Sequence, residues 1–372
     1  MTQIRTRAAV LRTMGAARPY AESRPLAIET VTLDPPGPGE GLVAIKAAGL
    51  CHSDLSVING DRPRPLPMAL GHEASGVVEQ LGEGVTDLAV GDHVALVFMP
   101  SCGHCDPCAG GRPALCEPGA AANGKGELLA GGKRIRHDQE TLNHHLGCSA
   151  FADHAVVSRR SLVKIDPALS FEEAALFGCA VLTGVGAVVN TAGVTAGQSV
   201  VVVGLASVLG ALACGASPVI AVDLSEDKLA LARTLGAVQT VNAADADAVD
   251  QVRALTRGGA DVAIEMAGSV RALEAAWKMT RRGGTTVTAG LPPADATLAV
   301  NVVSLVGEER TLKGSYIGTC VPSRDIPRYV ALYRQGRLPV DRLMSGTLGL
   351  DNINAGFDRL HAGEVVRLLV TF

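Results

Sequence analysis

The sequence predicts an α/β protein in which a doubly wound parallel sheet follows a separate β-rich domain. From Val181 onward, helical periods alternate with short apolar strands at Val200–Val203, Val219–Val222, Val262–Glu265 and Thr285–Ala289, the pattern of βαβ units. Residues up to about 100 have a different texture, with β-branched runs such as Gly41–Ile45 and Ala74–Val78 set between Gly- and Pro-rich turns. A length of 372 residues gives room for about two domains.

The first strand is expected through Arg7–Leu11. Met1–Pro25 carries several Arg and one acid, Glu22, which superficially suggests a transit peptide, but an opening strand explains it more simply. After a cysteine-rich lobe, the polar, Gly-rich stretch 117–143 reads as a long surface loop, and the basic run Lys133, Arg134, Arg136 within it as solvated. The run from Ala174 to Val222 has no charge and is long enough for a membrane span. Gly, Asn190, Gln198 and Pro218 interrupt it and no basic flank opens it, so buried strands and a helix fit better. The last fifty or so residues mix strand and helix, and Leu368–Phe372 reads as a strand that pairs in a sheet. A formal charge of −4 argues against nucleic acid as the main partner. A soluble cytoplasmic protein that neither spans a membrane nor binds nucleic acid is expected.

Four cysteines lie within fifteen residues: Cys102, Cys105, Cys108 and Cys116. The spacing C-x2-C-x2-C-x7-C lets thiolates on tight turns converge on one tetrahedral ion, and Gly103, Pro107, Gly110, Gly111 and Pro113 supply the turns. Disulfide scaffolds are usually small and Cys-dense, unlike 9 Cys in 372 residues. The spacing also departs from that of ferredoxin clusters. Structural zinc is the leading reading. Four thiolates close the coordination sphere, so any chemistry lies elsewhere.

Three further candidates stand in Cys51-His52-Ser53-Asp54, Gly71-His72-Glu73 and Gly178-Cys179-Ala180. Two Cys and one His would leave a fourth position open, as catalytic zinc requires. Taken singly, each has a plain alternative: a buried free thiol, or a histidine satisfied by hydrogen bonds.

The strand Val200–Val203 leads into Gly204-Leu205-Ala206-Ser207-Val208-Leu209-Gly210, where a dinucleotide fold would show G-x-G-x-x-G. Only the first glycine is in place. Ala206 stands where the backbone should approach a pyrophosphate, and Leu209 where helix and strand should pack closely. Asp223, 19 residues after Gly204 at the end of the next strand, can accept from both ribose hydroxyls, which favours NAD over NADP.

Together these residues identify a resemblance. Gly49–Asp54, Gly71–Gly76, the four-Cys lobe, Gly178-Cys179-Ala180 and Gly290-Leu291-Pro292 resemble the zinc-dependent alcohol dehydrogenases of the medium-chain dehydrogenase/reductase superfamily, along the whole chain. The resemblance implies a GroES-like catalytic domain over 1–180, a Rossmann NAD-binding domain over 181–316, and a return to the catalytic domain over 317–372, with the active site in the cleft between domains. It implies two zinc ions per chain, a catalytic one on Cys51, His72 and Cys179 and a structural one on the four-Cys lobe. Ser53 would hold the alcohol and start proton release, Asp54 would fix the tautomer of His72, and Glu73 would approach the metal from behind. His52, Thr183, Gly204, Leu205, Asp223, Lys228, Gly290 and Arg367 fall at cofactor positions, with His52 and Arg367 near the pyrophosphate. Phe98, Leu146 and Leu291 fall in the substrate pocket. Where many relatives carry a proton-relay histidine, this chain has Ser56. Relatives usually read Gly-Leu-Gly-Gly-Val-Gly-Leu at the cofactor loop, so about five residues are missing after Leu205. If that gap is a true deletion, weakened NAD binding is expected.

The implied activity is reversible NAD-linked oxidation of a primary or aromatic alcohol to an aldehyde, by hydride transfer from a zinc-bound alkoxide. S-(hydroxymethyl)glutathione is the alternative substrate, and a catalytically silent ligand-binding relative is the alternative class. The stretch between Cys116 and Leu146 resembles the insertion of dimeric relatives, so a homodimer is expected.

Overall fold

The computed structural model describes residues 3–205 and 207–372. Its strands are β1 (Ile4–Leu11), β2 (Leu26–Leu33), β3 (Glu40–Gly49), β4 (Met68–Ala69), β5 (Glu73–Leu81), β6 (His93–Leu96), β7 (Ile135–His137), β8 (Glu140–His144), β9 (His154–Ser158), β10 (Leu162–Lys164), β11 (Val200–Val203), β12 (Val219–Asp223), β13 (Gln239–Asn242), β14 (Ala260–Glu265), β15 (Thr280–Thr288), β16 (Thr311–Gly314), β17 (Met344–Gly349) and β18 (Arg367–Thr371).

The chain forms two compact units. The first comprises Met1–Cys179, Val321–Arg328 and Met344–Phe372. It holds a closed barrel in the order β1-β2-β7-β8-β4 and a seven-stranded sheet in the order β10-β6-β5-β3-β18-β17, with β9 pairing β3. Alternation puts Ala8, Val10, Val31 and Leu33 inside the barrel with Ile135 and Leu142. The C-terminal strand β18 pairs antiparallel with β3 and parallel with β17, as the apolar terminus predicts.

The stretch read as a long surface loop is structured. It holds a helix, Glu117–Lys125, ended by Gly126 in the left-handed region, and then the hairpin β7–β8, two of the five barrel strands. Short strands of three and five residues, half of them facing out, gave too brief an alternation to be seen among the glycines. The basic run is not simply solvated either. Arg134 Nε lies 2.8 Å from Oε2 of Glu40, a residue with no exposure, and Arg136 Nε lies 3.0 Å from Asp34 Oδ2.

The second unit comprises Ala180–Cys320 and Tyr329–Leu343. Its six strands are all parallel, in the order β13-β12-β11-β14-β15-β16. The four valines of β11 are buried on both faces, which is why they read as a continuous apolar run rather than an alternating one. The order reverses direction between β11 and β14, the switch point where open α/β sheets bind ligands. The helical stretch Phe171–Ala192 is apolar enough to cross a membrane, but 78% of its most apolar window is buried inside the protein.

Arg134→Ala would leave the buried Glu40 carboxylate unpaired. It is expected to lower urea-unfolding stability by about 3 kcal/mol, whereas Arg136→Ala, whose guanidinium is half exposed, should cost less than about 1 kcal/mol. Equal effects would contradict this account of the hairpin.

Candidate functional site

Cys51 is the N-cap of the helix His52–Ile58, and Asp54 three residues on completes a capping box: the backbone N–H of Cys51 donates to Asp54 Oδ2 at 3.3 Å. The same carboxylate reaches another segment. Its Oδ1 accepts from the Gly71 N–H at 3.2 Å and faces His72 Nδ1 at 3.1 Å. A carboxylate only accepts, so the His72 hydrogen sits on Nδ1 and the lone pair is left on Nε2. His72 Nε2 is buried without a hydrogen-bond partner.

Cys179 arrives on a π-helical turn, Phe177–Val181, that interrupts the helix begun at Phe171 under a Ser170/Glu173 capping box. π-turns widen a helix locally and often mark functional positions. Gly178 is required there, because a Cβ would stand 2.2 Å from the carbonyl oxygen of Leu96. Ligand atoms of Cys51, His72, Glu73 and Cys179 all lie within 4.8 Å of one another, and all four residues are buried. Two thiols, an orphan imidazole nitrogen and a carboxylate suit a divalent zinc ion.

The electrostatics are those of a site built around a cation. The Cys179 thiol, hydrogen-bonded to Cys51, holds Cys51 well below the ordinary thiol value, and Cys179 is pushed up in turn. Burial works to lower His72, but the Asp54 charge and hydrogen bond hold it well above its usual value. Asp54 stays below the usual carboxylate range despite complete burial, because His72 and His145 face it. Burial pushes Glu73 up to about 7, and neither of its oxygens has a hydrogen-bond partner. Arg367 donates from Nη1 to Leu50 O at 3.4 Å, and its charge opposes that burial effect on Glu73 while also bearing on Cys51 and Cys179.

Ser53 is half-buried on the first turn of the helix, and His52 is exposed beside it. Ser56 Oγ donates to the His52 carbonyl at 2.7 Å. Phe98 stands edge-on to His72, with ring centroids 5.3 Å apart, and Leu146 is buried with a left-handed φ of 51°. The sequence offered no signal for His145. Its ring stands edge-on to His72 at 5.5 Å, and its Nδ1 lies 3.1 Å from Asp54 Oδ1 without forming a well-aligned hydrogen bond. That contact depends on a turn joining distant strands, which no local spacing encodes.

In the cysteine lobe, the sulfurs of Cys102, Cys105, Cys108 and Cys116 also lie within 4.8 Å of one another. Cys105 and Cys116 are 3.9 Å apart. A tetrahedral ion with Zn–S bonds of about 2.3 Å sets that separation at about 3.8 Å. Backbone N–H groups turn toward sulfur: Cys102 and Gly119 donate to Cys116, and His104 and Cys105 to Cys102. The His104 N–H leads the causes that lower Cys102 to about 6, whereas burial pushes Cys108 up to about 12.

Within the second unit, Gly204 follows β11 with a left-handed φ of 99° and Leu205 is buried, while Ala206 lies outside the described residues. The close approach in the six-residue helix Val208–Ala213 is at Gly210 and is to another helix: a Cβ there would come 2.9 Å from Val185 Cα, on the stretch Leu182–Gly186. Asp223 is half-buried at the end of β12 and accepts the Ser225 N–H at 3.0 Å, and Lys228 is half-buried in the next helix. Thr183 is half-buried, as is Gly290, and Leu291 is 46% exposed. Of the residues expected to meet a dinucleotide, the carboxylate of Asp223 stands at a strand end, and Gly204 is the one glycine of the expected three. Glu265, unsignalled in the sequence, is buried at the end of β14, where Oε1 accepts from Gly268 N–H and Oε2 from the Thr288 hydroxyl, both at 2.6 Å.

Two family descriptions match: an alcohol dehydrogenase GroES-like domain at residues 37–167 and a zinc-binding dehydrogenase domain at 202–335. S-(hydroxymethyl)glutathione dehydrogenase from Paracoccus denitrificans is 35% identical over 384 aligned residues, covering 99% of this chain and 100% of that protein. Among solved structures, an alcohol dehydrogenase zinc-binding domain protein from Burkholderia ambifaria has a TM-score of 0.93 at 35% identity, covering 100% of both chains. Benzyl alcohol dehydrogenase from Acinetobacter calcoaceticus has a TM-score of 0.92 at 32% identity, covering 99% of both chains.

Glu73 gives the metal-free protein a pH dependence. Its folded pKa of about 7 exceeds the ordinary 4.5, so its stabilising contribution is complete below pH 4.5 and lost as pH rises through 7. Between pH 4 and pH 8, metal-free wild type should lose on the order of 3 kcal/mol relative to Glu73→Gln in urea unfolding. Parallel pH profiles would refute this.

Proposed function

We propose, on the premise that this chain belongs to the zinc-dependent alcohol dehydrogenases of the medium-chain dehydrogenase/reductase superfamily, that it oxidises primary or aromatic alcohols to aldehydes with NAD at a zinc held by Cys51, His72 and Cys179. The observation that carries the metal assignment is the buried quartet of ligand atoms that includes His72 Nε2, aimed among thiols with no partner of its own. A zinc ion held by Cys51, His72 and Cys179 would supply Lewis acidity toward an alcohol, and a bound dinucleotide would supply the hydride acceptor.

The residues divide the remaining work. Asp54 fixes the His72 tautomer and ring orientation. Ser53, half-buried next to Cys51, takes the alcohol proton toward solvent; Ser56 does not extend that path, since its hydroxyl is tied to the helix backbone. Glu73, buried behind the ligand set with free oxygens, offers negative charge to the cation, and the Arg367 guanidinium answers the charges of Glu73, Cys51 and Cys179. For the substrate, Phe98 and Leu146 offer apolar surface in the first unit, and Leu291 offers apolar surface in the second. Asp223 takes the adenosine ribose, which supports NAD over NADP, while Gly204, Leu205, Thr183, Lys228, Gly290 and His52 complete the cofactor contacts. Cys102, Cys105, Cys108 and Cys116 hold a second, structural zinc. Nine free thiols support a reducing, cytoplasmic location.

A second copy of the chain is the natural partner for one face. β16 is an edge strand exposed along its whole length, and the helix Val302–Gly307 before it presents Val302, Val303 and Val306 at 68, 82 and 71% exposure. An uncovered edge beside apolar side chains favours pairing with its own symmetry mate.

The metal assignment is tested by zinc content per chain together with NADH formation from benzyl alcohol. Two zincs with turnover are expected, falling to one zinc and no turnover in Cys179→Ala; one zinc without turnover in wild type would instead support the silent relative. A rate that requires glutathione with formaldehyde would move the substrate to S-(hydroxymethyl)glutathione. For the dimer, Val303→Glu should halve the mass seen in sedimentation equilibrium, and a wild-type monomer would refute it.

A further inference from the structure

His72 is bracketed by two rings, Phe98 at 5.3 Å and His145 at 5.5 Å, each close to perpendicular to it. Phe98 shows that packing alone needs only an apolar ring. An imidazole in the second place, 1% exposed, costs desolvation unless its polar atoms are used. Its Nδ1 has no aligned hydrogen-bond partner, and the group it faces is Asp54 Oδ1 at 3.1 Å. The backbone is committed to that presentation. The His145 N–H donates to Ser149 Oγ at 2.9 Å, and the non-glycine residues Leu146 and Ser149 both adopt left-handed φ, near 50°. Asp54 Oδ2 accepts from the Cys51 N–H and Oδ1 from the Gly71 N–H and His72 Nδ1, and His145 Nδ1 stands 3.1 Å from the same Oδ1 without an aligned hydrogen bond.

We propose that His145 is a positioning residue for the catalytic metal: its Nδ1 hydrogen, set against Asp54 Oδ1, fixes the carboxylate that orients His72, so that zinc retention at Cys51, His72 and Cys179 requires a donor at that point. The inference rests on reading those three residues as the catalytic zinc ligands. It separates the two perpendicular rings by role, since Phe98 meets His72 with an apolar edge whereas His145 also sets a nitrogen against the carboxylate that orients His72. Outer-shell partners of this kind are worth a measurable part of metal affinity.

Asparagine and glutamine variants distinguish a donor from a packing ring. The side-chain nitrogen of Asn stands where imidazole Nδ1 stood, whereas that of Gln reaches to the Nε2 position. Full-length protein is dialysed against graded pyridine-2,6-dicarboxylate and the zinc per chain is counted, the lobe zinc serving as internal standard. His145→Phe and His145→Gln should fall from two zincs to one at about 10- to 100-fold lower chelator than wild type, and His145→Asn within about threefold of it. A wild type that holds one zinc at every chelator concentration would refute the three-ligand reading itself. Two zincs in wild type with all variants unchanged, or with Asn as weak as Phe, would overturn the role of His145 alone. If His145→Phe fails to fold, seen as loss of the wild-type circular dichroism spectrum, the comparison of Asn with Gln decides.

Discussion

The carboxylate of Asp54 is the point on which the first unit turns. It has no exposure, and an ionised group in that position is tolerable only if donors replace the water it has lost. Those donors come from two separate segments, the start of the helix His52–Ile58 and the Gly71-His72 turn before β5, while the turn after β8 sets His145 Nδ1 3.1 Å from the same carboxylate. One side chain therefore caps a helix, anchors a turn and sets the ring of His72. Removing the charge would release all of these together.

Much of this was legible in the sequence because it is local. The four-Cys lobe is one segment with its own turns, and the valine run of β11 announces a strand buried on both faces. Asp54 reads as a partner of His72 through the family resemblance, whereas its place in the capping box of Cys51 emerges only in the structure. The illegible parts are pairwise and distant. Glu40 and Arg134 are 94 residues apart, so a basic run that closes a buried ion pair looks like any solvated stretch. His145 and Asp54 are likewise far apart, and an imidazole next to another histidine signals nothing by itself. The hairpin β7–β8 was hidden for a different reason, since strands this short carry too few alternations to rise above their turn residues.

The dinucleotide region divides in the same way. Parallel order and the Asp223 carboxylate follow from strand spacing, and the shortened glycine loop is visible in the letters. The structure adds that Gly210 supplies the close packing of its helix, and that Ser207 Oγ ties the start of that helix to the Gly184 carbonyl at 2.8 Å. The helix after the shortened loop is therefore anchored against the neighbouring helical stretch rather than through the loop glycines. Glu265 gives the neighbouring strand end a comparable anchor, buried and bonded on both oxygens.

The two metal sites differ in how their ligands are drawn from the chain, and that difference has a bearing on biogenesis. The lobe takes all four sulfurs from one short segment, so closing it around an ion costs little chain entropy and can happen on a nascent chain. The other site takes Cys51 from a helix start, His72 from a turn and Cys179 from a π-turn, and it exists only once the barrel, the large sheet and the long helix have assembled. Metal at the lobe can therefore act as an early folding cofactor, whereas metal at the other site certifies a finished domain. Under zinc scarcity the molecule would be born folded and idle, waiting for its second ion.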